Sequence, residues 1–94
     1  MSTVRVRSSG NVFLDLGYSK EEAAIFQMRA DLMARLRAFV KAKKLTQARA
    51  AALLGVSQSR VSDLIRGKWE KFSLEMLIML ATRAGMHVSI RTAA

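Results

Sequence analysis

The sequence predicts an all-α fold: a compact bundle of four to five helices with a short C-terminal strand. Three observations carry it. The chain is 51% hydrophobic but has only six aromatic residues and no Pro, so its core must come from Leu, Ala, Val, Ile and Met, as suits packed helices. Ser or Thr precedes each of four helix-forming runs, at Ser19, Thr46, Ser57 and Ser73, where a side-chain oxygen satisfies free N–H groups of a first helical turn. Gly55, Gly67 and Gly85 follow three of those runs, and Gly takes up the left-handed conformation of a helix end at little cost.

The first element is a candidate N-terminal strand, since Val4, Arg5, Val6 and Arg7 alternate with period two before Ser8, Ser9 and Gly10 break the pattern. These residues read either as a solvated tail or as a basic arm that follows a DNA groove. Asn11 to Tyr18, NVFLDLGY, is too apolar at Val12, Phe13, Leu14 and Leu16 to be free in water and is expected to dock on the rest. Residues 1–18 are therefore read as an arm or extension, and residues 19–94 as the main domain.

A long helix starts at Ser19, which with Glu22 makes a capping-box pattern. Ile25, Leu32, Leu36, Phe39 and Val40, with Met28 or Arg29 between, recur at helical spacing as far as about Lys43 and mark its core face. Its second half is rich in Arg and Lys, which suits a helix C-terminus. That local account is incomplete, because seven basic residues and no acidic one lie between Arg35 and Ser62. Such a block repels itself unless a polyanion compensates it.

Two short helices come next, Gln47 to Leu54 and Gln58 to Arg66, capped by Thr46 and Ser57 and separated by a turn at Gly55. This is the local geometry of a helix-turn-helix. At 100° per residue, Val61, Leu64 and Ile65 form one stripe of the second helix, and Ser59, Asp63 and Arg66 lie opposite with Ser62 and Arg60 on the flanks. The stripe is expected to be core. By periodicity alone, the polar face is an ordinary solvated surface.

After Gly67, the loop Lys68 to Phe72 contains Trp69 and Phe72 as packing anchors, with Lys68 and Lys71 free to meet phosphate. Leu74 to Ala84 is the last helix, with Leu74, Leu77, Ile78, Leu80 and Ala81 as its apolar face and Met76 and Met79 as soft packing. Val88 and Ile90 alternate with His87, Ser89 and Arg91 as in a half-buried strand. One strand is not stable alone. It must pair with Val4 to Arg7, with Asn11 to Leu16, or with a second copy of the chain, and the last arrangement would make a homodimer.

Composition narrows the function. Sixteen Lys and Arg against seven Asp and Glu give a formal net charge of +9 and a pI of about 11.2, which favours a polyanionic partner, with double-stranded DNA foremost. There is no Cys and a single His, so neither a disulfide nor a metal site is expected. The chain contains no Gly-rich phosphate loop, no GxSxG and no HExxH. Neither an enzyme nor a cofactor is expected. No apolar leader and no membrane-length apolar run occurs, so the expected location is cytoplasmic, on the nucleoid when DNA is bound.

The order Gln47, Ala51, Gly55, Val56, Ser57, Val61, Leu64, Gly67, Lys68 resembles the lambda-repressor-like, XRE-type family of helix-turn-helix DNA-binding domains. The resemblance implies that Gln47 touches the DNA backbone and that the second helix of the pair lies in the major groove. Gln58, Ser59, Arg60, Ser62 and Asp63 then become candidates for reading base edges. Gln47, Ser57, Arg66, Lys68 and Lys44 become candidates for contacting the backbone. Asp63 is the exception on this face, an acid that Arg60 and Arg66 can both reach from three residues away, so it is expected to orient a reader.

A wider pattern, SSGNVFLDLGY, the extended helix, FSLEML and GMHVSI, resembles small helix-turn-helix antitoxins of bacterial toxin-antitoxin modules. That resemblance implies a dimeric repressor of its own operon that also binds a small toxin protein. The alternative is a protein-interaction module whose helix-turn-helix is merely structural.

Overall fold

A computed structural model of the chain describes residues 2–7 and 11–92. Its elements are strand β1 (Ser2–Arg7), the single-turn helix α1 (Val12–Asp15), the long helix α2 (Lys20–Ala42), α3 (Gln47–Leu54), α4 (Gln58–Ile65), a 3-10 turn over Trp69–Lys71, α5 (Leu74–Arg83) and strand β2 (Met86–Arg91). The five helices and two strands of the described residues agree with the four to five helices and the one or two strands expected. The break expected at Ser8, Ser9 and Gly10 lies outside the described residues.

Each expected cap forms. The side-chain oxygens of Ser19, Thr46, Ser57 and Ser73 each accept a hydrogen bond from the backbone N–H three residues on, at 3.1 Å. At Ser19 the box is one-sided, because its hydroxyl donates to Glu22 Oε1 at 2.9 Å and the Glu does not reach back to the backbone. Gly67 ends α4 with φ of +72°. Its N–H donates to the Leu64 carbonyl and that of Lys68 to the Asp63 carbonyl, both at 3.0 Å, so the last carbonyls of the helix are satisfied as in a Schellman motif.

Apolar burial fixes how the helices assemble. Leu32, Met33 and Leu36 of α2, Leu54, Leu64, Phe72, and Leu77, Leu80 and Ala81 of α5 form one continuous core closed by Met86. A second, smaller cluster joins Val40, Ala50, Ala51 and Val61. Its two alanines let α3 pack closely against α4.

Several expected core positions lie elsewhere. Ile25 is exposed, whereas Ala23 and Met33, outside the expected face, are buried. Ile65 is 37% exposed, whereas Val61 and Leu64 are buried. Ile65 faces Ala34 and Ala38, whose short side chains leave an open depression. Met79 is likewise exposed, and Leu74 and Ile78 are half-buried.

The N-terminal segment docks, but through fewer residues than its composition implied. Asn11 caps α1 by accepting from Phe13 N–H at 2.8 Å and donates its amide to the Ala23 carbonyl. Phe13 is buried and makes edge contacts with Tyr18, Phe26 and Trp69, at centroid distances of 6.1, 5.7 and 5.2 Å. Val12, Leu14 and Leu16 face outward instead, Leu16 being 68% exposed. A helix of a single turn has one inward position, and Phe13 takes it.

β1 and β2 pair in parallel, from Ser2 with Met86 to Arg7 with Arg91. Of the three partners open to the terminal strand, the structure selects the N-terminal one. The whole helical bundle serves as the crossover that a parallel pair requires. Burial falls from Met86 through Val88 to Ile90, so the apolar face of β2 leaves the helical layer as the strand proceeds and Ile90 is exposed.

Candidate nucleic-acid interface

The site is a polar face built on α4 and flanked by the start of α3, the end of α2 and the loop after Gly67. α3 and α4 are each eight residues long and are separated by Gly55, Val56 and Ser57. Gly55 takes φ of +68°, a conformation open to Gly and strained for other residues. The turn is also held from outside, since Arg83 of α5 donates from Nη1 to the Leu54 carbonyl at 2.9 Å. A Cβ on Gly55 would stand 3.3 Å from that same nitrogen.

The candidate residues divide by exposure. Gln58 and Ser59 at the start of α4 are exposed, as are Ser57, Arg66, Gln47 and Lys44, whereas Arg60, Ser62, Asp63 and Lys68 are half-buried. The Ser57 hydroxyl oxygen accepts the capping bond from Arg60 N–H, which leaves its O–H and its neighbours' free N–H groups as donors at a helix N-terminus, where anions bind.

Arg60 is held in place. Its guanidinium lies 5.4 Å from the centroid of the Phe72 ring and donates from Nη1 to the Lys71 carbonyl at 3.1 Å. Asp63 does not pair with Arg60 or Arg66, contrary to expectation. Its carboxylate meets Lys71 Nζ at 3.8 Å, in a pair 22% exposed on the acid and 52% on the base. Arg60 points the same way, but toward the carbonyl of that residue. The loop after α4 thus positions both residues, and Lys71 offsets the one acid on the face.

Sequence reasoning missed Arg83 and the double role of Lys71. Lys71 stood out only as a cation near phosphate, and an Arg in the last turn of α5 reads as a partner of that helix's own dipole. Among the described residues no group of three or more acids, His or Cys is placed to hold a metal ion, and no helix is long and apolar enough to cross a membrane.

The turn, its caps and the polar face of α4 define a helix-turn-helix protein. Comparison with known proteins agrees: a family model described as a helix-turn-helix domain matches residues 12–93. A solved structure whose name places it, provisionally, among XRE family transcriptional regulators is 36% identical, with a TM-score of 0.71 over 78% of this chain and 82% of that one. No curated protein matches. The chain belongs to the XRE-type helix-turn-helix family, a class of DNA-binding transcriptional regulators.

Proposed function

We propose that the protein is a sequence-specific repressor that binds operator DNA as a homodimer, with α4 in the major groove. The exposed polar start of α4, a helix whose one acid, Asp63, is paired with Lys71, carries this reading. Gln58 and Ser59 are the foremost base readers. Arg60 reads from the flank where Phe72 and the Lys71 carbonyl hold it, and Ser62 lies deeper on the same face. Asp63, paired with Lys71, accepts from a cytosine amino group or leaves its base unread. Gln47, Ser57, Arg66, Lys68 and Lys44 contact the backbone, each phosphate neutralised releasing counterions. Two copies read two half-sites about one helical turn apart.

Residues 1–18 form an extension on the DNA-binding unit of residues 19–94, and its outward Val12, Leu14, Leu16 and Tyr18, together with the exposed Ile25 of α2, favour a second role. A patch of this kind is a protein-binding surface, which supports the antitoxin reading, with a small toxin as partner. The alternative, a protein-interaction module with no sequence-specific DNA binding, uses the same patch. The protein acts in the cytoplasm, on the nucleoid.

Selecting bound duplexes from random DNA tests the first reading. An enriched motif with two related half-sites supports it, and selection without enrichment sinks it. Co-expression with a small toxin encoded beside the chain's own gene tests the second, which falls if no such gene or no stable complex exists.

A further inference from the structure

An open depression of about 480 Å³ lies between the second half of α2 and the end of α4. The DNA-binding role proposed above assigns it nothing except Lys44. Ala34, Ala38 and Ile65 form its apolar floor, and Arg37, Lys41 and Lys44 stand along it. Ile65 would be a core residue by its place in the stripe, yet it is held at this surface. None of the three cations takes part in an ion pair among the described residues. Arg37 lies across the end of α4, its Nη1 3.2 Å from where a Cβ on Gly67 would be.

We infer that this depression docks an acidic, amphipathic helical segment of a partner protein. Charge and spacing identify the occupant. Arg37 and Lys41 lie about one turn apart on α2, and Lys44 follows three residues on, just past the C-cap Lys43, so the three stand in succession along the depression. Carboxylates placed at the same intervals on a facing helix meet all three. A single-headed anion would satisfy one cation and leave the others. A run of phosphates would match the cations but gain nothing from the apolar floor, whereas an apolar stripe on the acidic helix covers Ala34, Ala38 and Ile65 and stabilises the complex by excluding water there. Because Lys44 also belongs to the proposed DNA backbone contacts, an occupied groove and bound DNA exclude each other. That last step rests on the DNA-binding reading, and the docking itself does not.

The test uses the full chain and a fluorescent synthetic helix of about four turns, with Leu along one stripe and Glu at intervals of four and three beside it. Fluorescence anisotropy at physiological salt should show saturable binding. Replacing the peptide's Glu with Gln, or its Leu with Ser, should weaken binding by at least about tenfold, as loss of central contacts does at interfaces. Ala38→Trp, at an exposed position, fills the depression and should weaken it as much. Lys41→Glu provides a second variant should the first fail to fold.

The inference is overturned if the intact peptide does not bind, if the Leu-to-Ser peptide binds as well as the intact one, or if neither variant changes its affinity. Unlabelled mixed-sequence duplex DNA should displace the peptide. Persistent peptide binding in saturating DNA would remove the role of Lys44 in contacting DNA and leave the docking standing.

Discussion

The guanidinium of Arg83, at the end of α5, donates to the carbonyl of Leu54 at 2.9 Å, so the last helix of the bundle fastens the turn between α3 and α4. Bonds of this kind to a charged group contribute about 1.5–3 kcal/mol, less where water competes. Arg83 is largely exposed, so Arg83→Ala should lower unfolding free energy by about 1 kcal/mol. Gly55→Ala should cost about 1–2 kcal/mol, because it forces a side chain into the left-handed region and crowds the same nitrogen. The two losses share one bond. In a denaturant double-mutant cycle they should therefore sum to more than the loss in the double variant.

Asp63 and Lys71 form a pair too exposed to matter much for stability. Lys71→Ala should change the midpoint of unfolding by no more than about 0.5 kcal/mol equivalent. Its effect on DNA binding should be larger, because Asp63 is then an uncompensated negative charge on the reading face. Affinity should fall for all sequences, and the slope of log affinity against log salt should fall by about one. Asp63→Asn in the same background should restore affinity but not the slope.

The helices, their caps and the helix-turn-helix were legible in the sequence because they depend on local rules: Thr46, Ser57 and Ser73 each cap the next helix, and Gly67 ends the one before it. Burial was legible where another element covers the stripe, as at Val61 beneath Ala50 and Ala51 of α3 and at Leu64 in the main core. It failed at Ile65, where Ala34 and Ala38 leave open the space that periodicity assigns to the core, and at Val12, Leu14 and Leu16, where one turn of helix offers a single inward position. Asp63 was given the wrong partners, because spacing along α4 says nothing about Lys71, which arrives from the adjoining loop. The Arg83 bond to Leu54 spans 29 residues, and no local pattern foretells it.

Phe13 anchors the N-terminal segment against Tyr18, Phe26 and Trp69. Phe13→Ala should cost about 3 kcal/mol, toward the low end for removal of a buried Phe because the site is at the edge of the bundle. Amide exchange in Val12 to Tyr18 should accelerate toward that of an open chain, while the amides of α3 and α4 keep their protection. Acceleration in all helices together would show that the extension and the DNA-binding unit are one cooperative body.

The two classes of proposed DNA contact should separate by measurement. Ser59→Ala and Arg60→Lys remove edge contacts at defined positions, and each should lose about 1–3 kcal/mol on the preferred operator with little change on unrelated DNA. Lys keeps the charge of Arg60 but not its two-pronged geometry. Gln47→Ala should weaken every sequence alike. If Ser59→Ala and Arg60→Lys leave the selected motif unchanged, the start of α4 does not read the bases.

Lys44 is a Lys where helices prefer Gly. It closes α2 with its N–H donating to the Lys41 carbonyl, and Leu45 N–H donates to the Val40 carbonyl, both at 3.1 Å. This is the same arrangement that Gly67 provides for α4, yet Lys44 adopts φ of +52°, which a residue with a Cβ occupies at a cost of about 1–2 kcal/mol. Lys44→Gly should therefore raise stability by about 1 kcal/mol, net of the greater chain entropy of Gly, as read by thermal or denaturant unfolding. The same variant should bind DNA more weakly and with a salt slope lower by about one. Asn, which tolerates the left-handed region, should relieve part of the strain and lose the same DNA affinity. If Lys44→Gly gains stability at no cost in DNA affinity, the charge at this helix end has no part in binding, and the strain there has no functional account.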